Sequence, residues 1–189
     1  LSDWLKTGGV MAVGRVVLLA ENCCAAVAAL LACSRSGAVA VPVNARMSEA
    51  EVGRILDHSR PAALLATTGV SAEAMAHAAR LQAQPLDGRW GHLHLARPYP
   101  SNPHEDPHLA VLLYTTGTTG DPKGVMLSHA NLCFGGRTSA QLRDMTAADV
   151  IYGVLPVTHV FGLASVVTAA ISVGAQVRME ARFTPAKLY

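Results

Sequence analysis

Charge is scarce in this 189-residue sequence: 15% of its residues are charged, and the formal net charge is +2. No run of like charges concentrates that small surplus. The chain is therefore not built to attract a nucleic-acid backbone or an anionic membrane surface. Long apolar runs are missing too. The stretch 16–33 comes nearest, but Glu21 and Asn22 interrupt it, and its clean part, 25–32, is far short of the roughly 20 residues that cross a bilayer. No transmembrane segment is expected. The four cysteines, Cys23, Cys24, Cys33 and Cys133, follow no metal spacing, and the adjacent Cys23 and Cys24 cannot easily pair. Free thiols and a cytoplasmic address are expected. Internal repeats and low-complexity tracts are also absent.

What the sequence does have is apolar surface, with 51% hydrophobic residues, enough to bury a core. Apolar runs alternate with helical patterns. The pattern predicts a helix near 22–35, a strand at 38–42, a helix at 48–58, a strand at 62–66 and a helix at 71–81. Ser48 is the expected N-cap of the second helix, with Glu49 and Glu51 in its first turn, and Gly37 the expected stop of the first. The proline-rich segment 97–103 reads as a loop. Strands at 109–114 and 124–127 follow, then a helix from Ser128 to about 143, a buried strand at 150–155, a helix at 161–173 and a strand at 175–179. This βαβ rhythm predicts an α/β fold with a mostly parallel sheet.

Between the strands at 109–114 and 124–127 lies Tyr114-Thr115-Thr116-Gly117-Thr118-Thr119-Gly120-Asp121-Pro122-Lys123-Gly124-Val125. Gly117 and Gly120 permit positive φ and let backbone N–H groups approach an anion, while the threonines add donors and Lys123 adds a fixed charge. A glycine- and threonine-rich turn is by composition only a turn. This one has the parts of a phosphate loop. It is not a Walker A loop. Counted from Gly117, Pro122 occupies the second glycine position and Gly124 stands where a magnesium-binding hydroxyl should follow the lysine, and 125–127 reads as strand rather than helix.

The segment 115–123 resembles the signature loop of the adenylate-forming superfamily, which comprises acyl- and aryl-CoA ligases, peptide-synthetase adenylation domains and luciferases. Thr116 stands where many members carry serine. Leu155-Pro156-Val157-Thr158-His159-Val160-Phe161-Gly162-Leu163 resembles the motif that follows the loop in that family and lines its acid pocket. Upstream, Gly14-Arg15-Val16, Glu21-Asn22 and Gly37-Ala38-Val39-Ala40-Val41-Pro42-Val43-Asn44 resemble the opening of the same large N-terminal domain. The family's adenine-binding aromatic segment, acidic ribose ligand, hinge and late lysine have no match here, and the chain opens on Leu1. It reads as a partial N-terminal domain without the mobile C-terminal one. About 1–97 form a first α/β portion, 98–108 a proline-rich loop, and 109–189 the phosphate-loop and acid-pocket portion.

The resemblance implies a two-step ligase. A carboxylate attacks the α-phosphorus of ATP, pyrophosphate leaves, and the acyl-adenylate is attacked by a thiol. The thiol is that of coenzyme A or of a carrier protein, with coenzyme A favoured by the segment around His159. Thr115, Thr116, Gly117, Thr118, Thr119, Gly120, Asp121, Pro122 and Lys123 are implied to hold ATP, with Thr118 and Lys123 in catalytic roles and Thr115 beside Mg²⁺. His159, Phe161 and Gly162 are implied to face the small-molecule carboxylic acid, for which fatty, aryl and amino acids all remain open. The isolated chain is expected to be inactive. The alternative is a truncated, non-catalytic nucleotide-binding or interaction module of the same family.

Three histidine patterns carry less. His104-Glu105-Asp106-Pro107-His108 satisfies the zinc-protease pattern H-E-x-x-H, but Pro107 breaks the helix that chemistry requires. His92 and His94 share one face of an expected strand, too little for a metal site. His129, after the Ser128 cap, is expected to be structural.

Overall fold

The strand Arg15–Ala20 (β1) is buried along almost its whole length, because side chains on both of its faces meet helices. Val16 and Leu18 pack with Ala29, Leu30 and Cys33 of α2 (Cys24–Ser36), while Val17 and Leu19 pack on the opposite face. Their partners there are Val52, Ile55 and Leu56 of α3 (Glu49–Ser59) and Ala74 and Ala78 of α4 (Ala72–Arg80). This two-sided cover is why β1 shows no polar alternation. The apolar stretch at 16–33 is thus a central strand followed by a core helix. The computed structural model describes residues 1–7, 14–100, 106–115 and 122–185.

β1 lies between β2 (Val39–Asn44) and β3 (Ala63–Ala66), parallel to both, and β2 is parallel to β6 (Leu109–Thr115). At the edges β4 (Gln84–Gly88) and β5 (Gly91–Ala96) form a hairpin antiparallel to β3, and β7 (Lys123–Ser128) runs antiparallel to β6. The seven-stranded order is β4-β5-β3-β1-β2-β6-β7. The core four strands and β4 share one direction, so the sheet is mostly parallel with antiparallel edges. A short α1 (Ser2–Thr7) precedes β1.

The helix starts lie where the sequence places them. Ser48 accepts the Glu51 N–H and Glu51 reaches back to the Ser48 N–H; Ser128 and Asn131 repeat this box at α5 (His129–Gln141). Ser71 caps α4. Gly37 closes α2 at φ 73°, its N–H reaching the carbonyls of Cys33 and Ser34.

One expectation is corrected. The strand expected to be buried at 150–155 is β8 (Val150–Gly153), with Val150 53% exposed and only Gly153 fully buried. It pairs in parallel with β9 (Gln176–Met179) in a separate two-stranded sheet. Among the described residues no further strand joins that sheet, which leaves the other edge of β8 without a partner strand. The helix expected at 161–173 is a π-helix at Phe161–Thr168 continued by α6 (Ala169–Val173).

Candidate functional site

The carboxyl ends of β1, β2, β3 and β6 lie along one edge of the sheet, where open α/β sheets place their ligands. β6 is buried from Leu109 to Leu113, then surfaces through Tyr114 to the exposed Thr115. Thr115 stands opposite Lys123 across the β6–β7 hairpin, and Tyr114 opposite Gly124. A hydroxyl and an ammonium therefore flank the mouth of the loop. Thr116, Gly117, Thr118, Thr119, Gly120 and Asp121 lie outside the described residues, and so do His104 and Glu105. After Pro122 the chain runs as strand, in line with the sequence reading that separated this loop from a Walker A. Gly124 has a packing reason to lack a side chain, since a Cβ there would be 2.7 Å from Leu112 Cδ1.

The stem of the loop is held from the side. His58 Nδ1 and the Tyr114 hydroxyl are 2.6 Å apart, and the two rings meet edge to face at 5.6 Å. Burial lifts the Tyr114 phenol above the usual tyrosine range, so it stays a neutral hydrogen-bonding group.

The second motif faces that stem. Val157 and Leu163 are buried anchors, and His159, Val160 and Phe161 between them are exposed. The His159 N–H donates to the Pro156 carbonyl at 3.0 Å and the Leu163 N–H to the His159 carbonyl at 2.9 Å, which turns the chain into the π-helix. His159 Nδ1 accepts the Phe161 N–H at 3.2 Å, so the neutral ring carries its proton on Nε2. Phe161 is 57% exposed. Gly162 is buried with no room for a side chain. A Cβ would come within 2.1 Å of the Pro156 carbonyl oxygen. A cavity of about 120 Å³ joins the two motifs, with Tyr114 and Thr115 from β6, Val125 and Leu127 from β7, and the turn Thr158-His159-Val160 among its walls.

The sequence reading gave Asn22 no role, and the structure places it at the root of this arrangement. Its side-chain amide donates to the carbonyls of Gly153 (3.0 Å) and Leu155 (2.9 Å), and its oxygen accepts the Val157 N–H at 2.8 Å. Beside it, Glu21 is 4% exposed and bound by both arms of Arg46, at 2.7 and 2.9 Å, while its N–H donates to Thr67 Oγ1. The signal available in the sequence was that two polar residues break an otherwise apolar run.

His77, His92 and His94 each have a local partner, His77 Nε2 lying 3.0 Å from the Met47 carbonyl. His94 pairs with Thr68 and His92 with Asp87, on separate partners. His108 follows Asp106 and Pro107 in a turn rather than a helix. Among the described residues no group of three or more His, Cys, Asp or Glu side chains is placed to hold a metal ion, and no helix is long and apolar enough to cross a membrane.

Comparison with known proteins gives a consistent result. The AMP-binding enzyme family matches residues 1–188. An indoleacetate–CoA ligase of Aromatoleum aromaticum is 32% identical over 97% of this chain and 38% of its own length. A feruloyl-CoA synthase of Amycolatopsis is 31% identical over 98% of this chain and 37% of its own. In structure, ATP-bound MatB from Rhodopseudomonas palustris superposes with a TM-score of 0.77 at 26% identity, covering 99% of this chain and 39% of that one. The chain thus spans somewhat under two fifths of the length of these relatives.

Proposed function

This chain belongs to the AMP-binding enzyme family, and we propose that it supplies the phosphate-holding loop and one wall of the acid pocket of a carboxylic acid–CoA ligase. The observation that carries the reading is that the stem of the loop and the Thr158-His159-Val160 turn line one cavity at the carboxyl edge of the sheet. An acid lying against that turn is next to the place where the loop presents phosphate. The names of the relatives, acyl- and aryl-CoA ligases, support the same class of chemistry for the complete protein.

In this reading an acid carboxylate attacks the α-phosphorus of ATP, pyrophosphate departs, and the thiol of coenzyme A takes the acyl group from the adenylate. Thr115, Thr116, Gly117, Thr118, Thr119, Gly120, Asp121, Pro122 and Lys123 hold the triphosphate. Thr118 and Lys123 stabilise charge moving onto the leaving pyrophosphate, and preorganised donors do so without rearranging. His159 and Phe161 face the acid. The exposed ring of Phe161 suits an apolar tail, and Gly162 lets the motif pack against Pro156. The donor set also fits magnesium. Thr115 offers a neutral hydroxyl oxygen on the exposed end of β6, the kind of ligand Mg²⁺ takes beside substrate phosphates. Bound there, the ion would neutralise phosphate charge. The exposed thiols of Cys24 and Cys133 suit a reducing, cytoplasmic setting. We infer further that these 189 residues do not complete the reaction, because they span so small a share of the relatives.

Tripolyphosphate tests the loop without needing an adenine pocket. Titrated into the chain by calorimetry, it should bind in a salt-sensitive manner. A charge-assisted hydrogen bond contributes about 1.5–3 kcal/mol, so Lys123→Ala should weaken it roughly ten- to a hundredfold. Absence of binding, or a Lys123→Ala variant that binds equally well, would sink the assignment. Acid-dependent ATP–pyrophosphate exchange by the isolated chain would overturn the inference that it is incomplete.

A further inference from the structure

Asn22 does not line the cavity, yet it fixes the backbone that leads into the Thr158-His159-Val160 turn, which does. We propose that Asn22 is a positioning residue that sets where the Thr158-His159-Val160 turn stands over the loop stem. It acts through the Leu155 carbonyl and the Val157 N–H, two residues before His159. The side chain is on a rigid support, since it follows β1, which is paired on both sides by β2 and β3. The same sheet carries β6 and hence Thr115. The clamp therefore references the second motif to the first across 133 to 135 residues of sequence.

The chemistry selects an asparagine. The site requires donors for two carbonyls and an acceptor for one N–H, all from one short planar group. An aspartate would turn oxygen toward both carbonyls, serine could satisfy one partner, and glutamine would overshoot by a methylene. Asn22 is 5% exposed, so water has little access to replace the lost bonds. The Leu155–Val157 segment lies between the end of β8 and the turn at Pro156–His159, outside any sheet ladder. Without Asn22 its remaining ties would be the packing of Val157 on Ala20, Ala26 and Val167 and the bond from the His159 N–H to the Pro156 carbonyl, and the Gly153 and Leu155 carbonyls and the Val157 N–H would lose their Asn22 partner.

The consequence for an acid substrate rests on the proposed function, but the placement itself can be tested with no ligand. Amide hydrogen exchange would be compared in the 189-residue chain and in Asn22→Asp and Asn22→Ser, with Ser59→Ala as a control. Ser59 is buried and bonded to the Ile55 carbonyl, and it meets the loop stem at Tyr114 rather than the 155–163 segment. Both Asn22 variants should raise exchange of the Val157 amide and of residues 158–163 by about tenfold or more, while β1 and β2 keep their protection. The His159 ring nitrogens give a second readout. Nδ1 should be the unprotonated one in the parent chain, and the two tautomers should mix in the variants as the Phe161 N–H loses its fixed place. Exchange that is unchanged at 157–163, or raised uniformly as in Ser59→Ala, with the His159 signals unmoved, would overturn the proposal. Asn22→Ser keeps one bond and carries the test if Asn22→Asp does not fold. A failed tripolyphosphate titration would leave this result standing, and the reverse also holds.

Discussion

Replacing Gly162 with alanine would put a methyl group where backbone already lies. The new Cβ would be 2.1 Å from the Pro156 carbonyl oxygen, 2.6 Å from its carbon and 2.7 Å from the Leu155 oxygen. Carbon–oxygen contacts settle at about 3.3 Å, so the nearest carbonyl must retreat by roughly 1.2 Å. Neither neighbour is free to move. The Pro156 carbonyl accepts the His159 N–H, and the Leu155 carbonyl is held by Asn22. Overpacking costs about 1–3 kcal/mol, and a collision with backbone on two sides belongs at the upper end, near 3 kcal/mol. In a chain of this size each kcal/mol moves Tm by about 2–4 °C, so a loss of roughly 6–12 °C is expected. Gly53 is the internal control. It lies in α3 with nothing within 4 Å of its would-be Cβ, so Gly53→Ala should stabilise by about 0.5–1 kcal/mol through helix propensity. Urea unfolding of the two variants checks both signs, with the slope m unchanged. Shifts in the same direction, or a Gly162→Ala loss under about 1 kcal/mol, would refute the packing argument.

Three further outcomes follow from the same geometry. The Glu51 carboxyl is held below the usual range by the Ser48 hydroxyl and then by the Ser48 N–H, so its contribution is full above the unfolded pKa of about 4.3 and is lost as pH falls through the lower folded value. The stability gap between the parent chain and Glu51→Gln should therefore close only below about pH 4, and a gap constant from pH 7 to 3 would contradict this. Burial pushes the Cys33 thiol up to about 12 and raises Cys23 as well, so a thiolate-selective reagent at neutral pH should label Cys24 and Cys133 first and Cys33 only on unfolding, as peptide mass spectrometry would show. Arg46→Met strips the counter-charge from the buried Glu21, whereas Glu21→Gln leaves a guanidinium that is 47% exposed and can turn to water. Arg46→Met should be the more destabilising by about 1 kcal/mol in urea unfolding, after allowance for solvent screening of the exposed partner, and equal losses would refute the asymmetry.

Local signals made much of the fold legible. Ser48, Ser71 and Ser128 each announce a helix because a cap's hydrogen bond is made within three residues of itself. The β6–β7 hairpin that carries the proposed phosphate loop is legible because two short apolar runs flank one contiguous glycine-, threonine- and lysine-bearing stretch. β1 was hidden because a strand covered on both faces loses its period-two pattern and merges with the alanines of α2. β4 escaped notice because Gln84–Gly88 is an exposed edge strand containing Pro85, with little apolar alternation to detect. The π-helix could not be told from an α-helix, since Phe161–Thr168 is apolar nearly all round and gives no face to count from. Val150 was expected inside because a short apolar run looks the same whether or not a neighbour covers it. Asn22 was invisible as a clamp because its partners lie 131 to 135 residues away.

Those distant bonds explain how a parallel sheet can present a chemical site from loops that have little structure of their own. Each parallel strand ends at the same edge, and the residues just past the ends bind one another. Glu21 is tied to Thr67 after β3 and to Arg46 after β2, and Asn22 to the 153–157 segment. Every one of these contacts joins a different connection to β1, so the central strand is the common reference for the edge. Burial makes this ordering costly to break, because a carboxylate or amide shut away from water must keep its partners. The side chains proposed to meet a substrate, Thr115, Lys123, His159 and Phe161, face the opposite way, open to solvent. A misplacement of about 1 Å can cost a hundredfold in rate, so a site of exposed side chains on short turns requires a buried polar layer directly beneath it. For the site proposed above, the Glu21-Asn22 pair at the end of β1, between an apolar strand and an apolar helix, supplies such a layer.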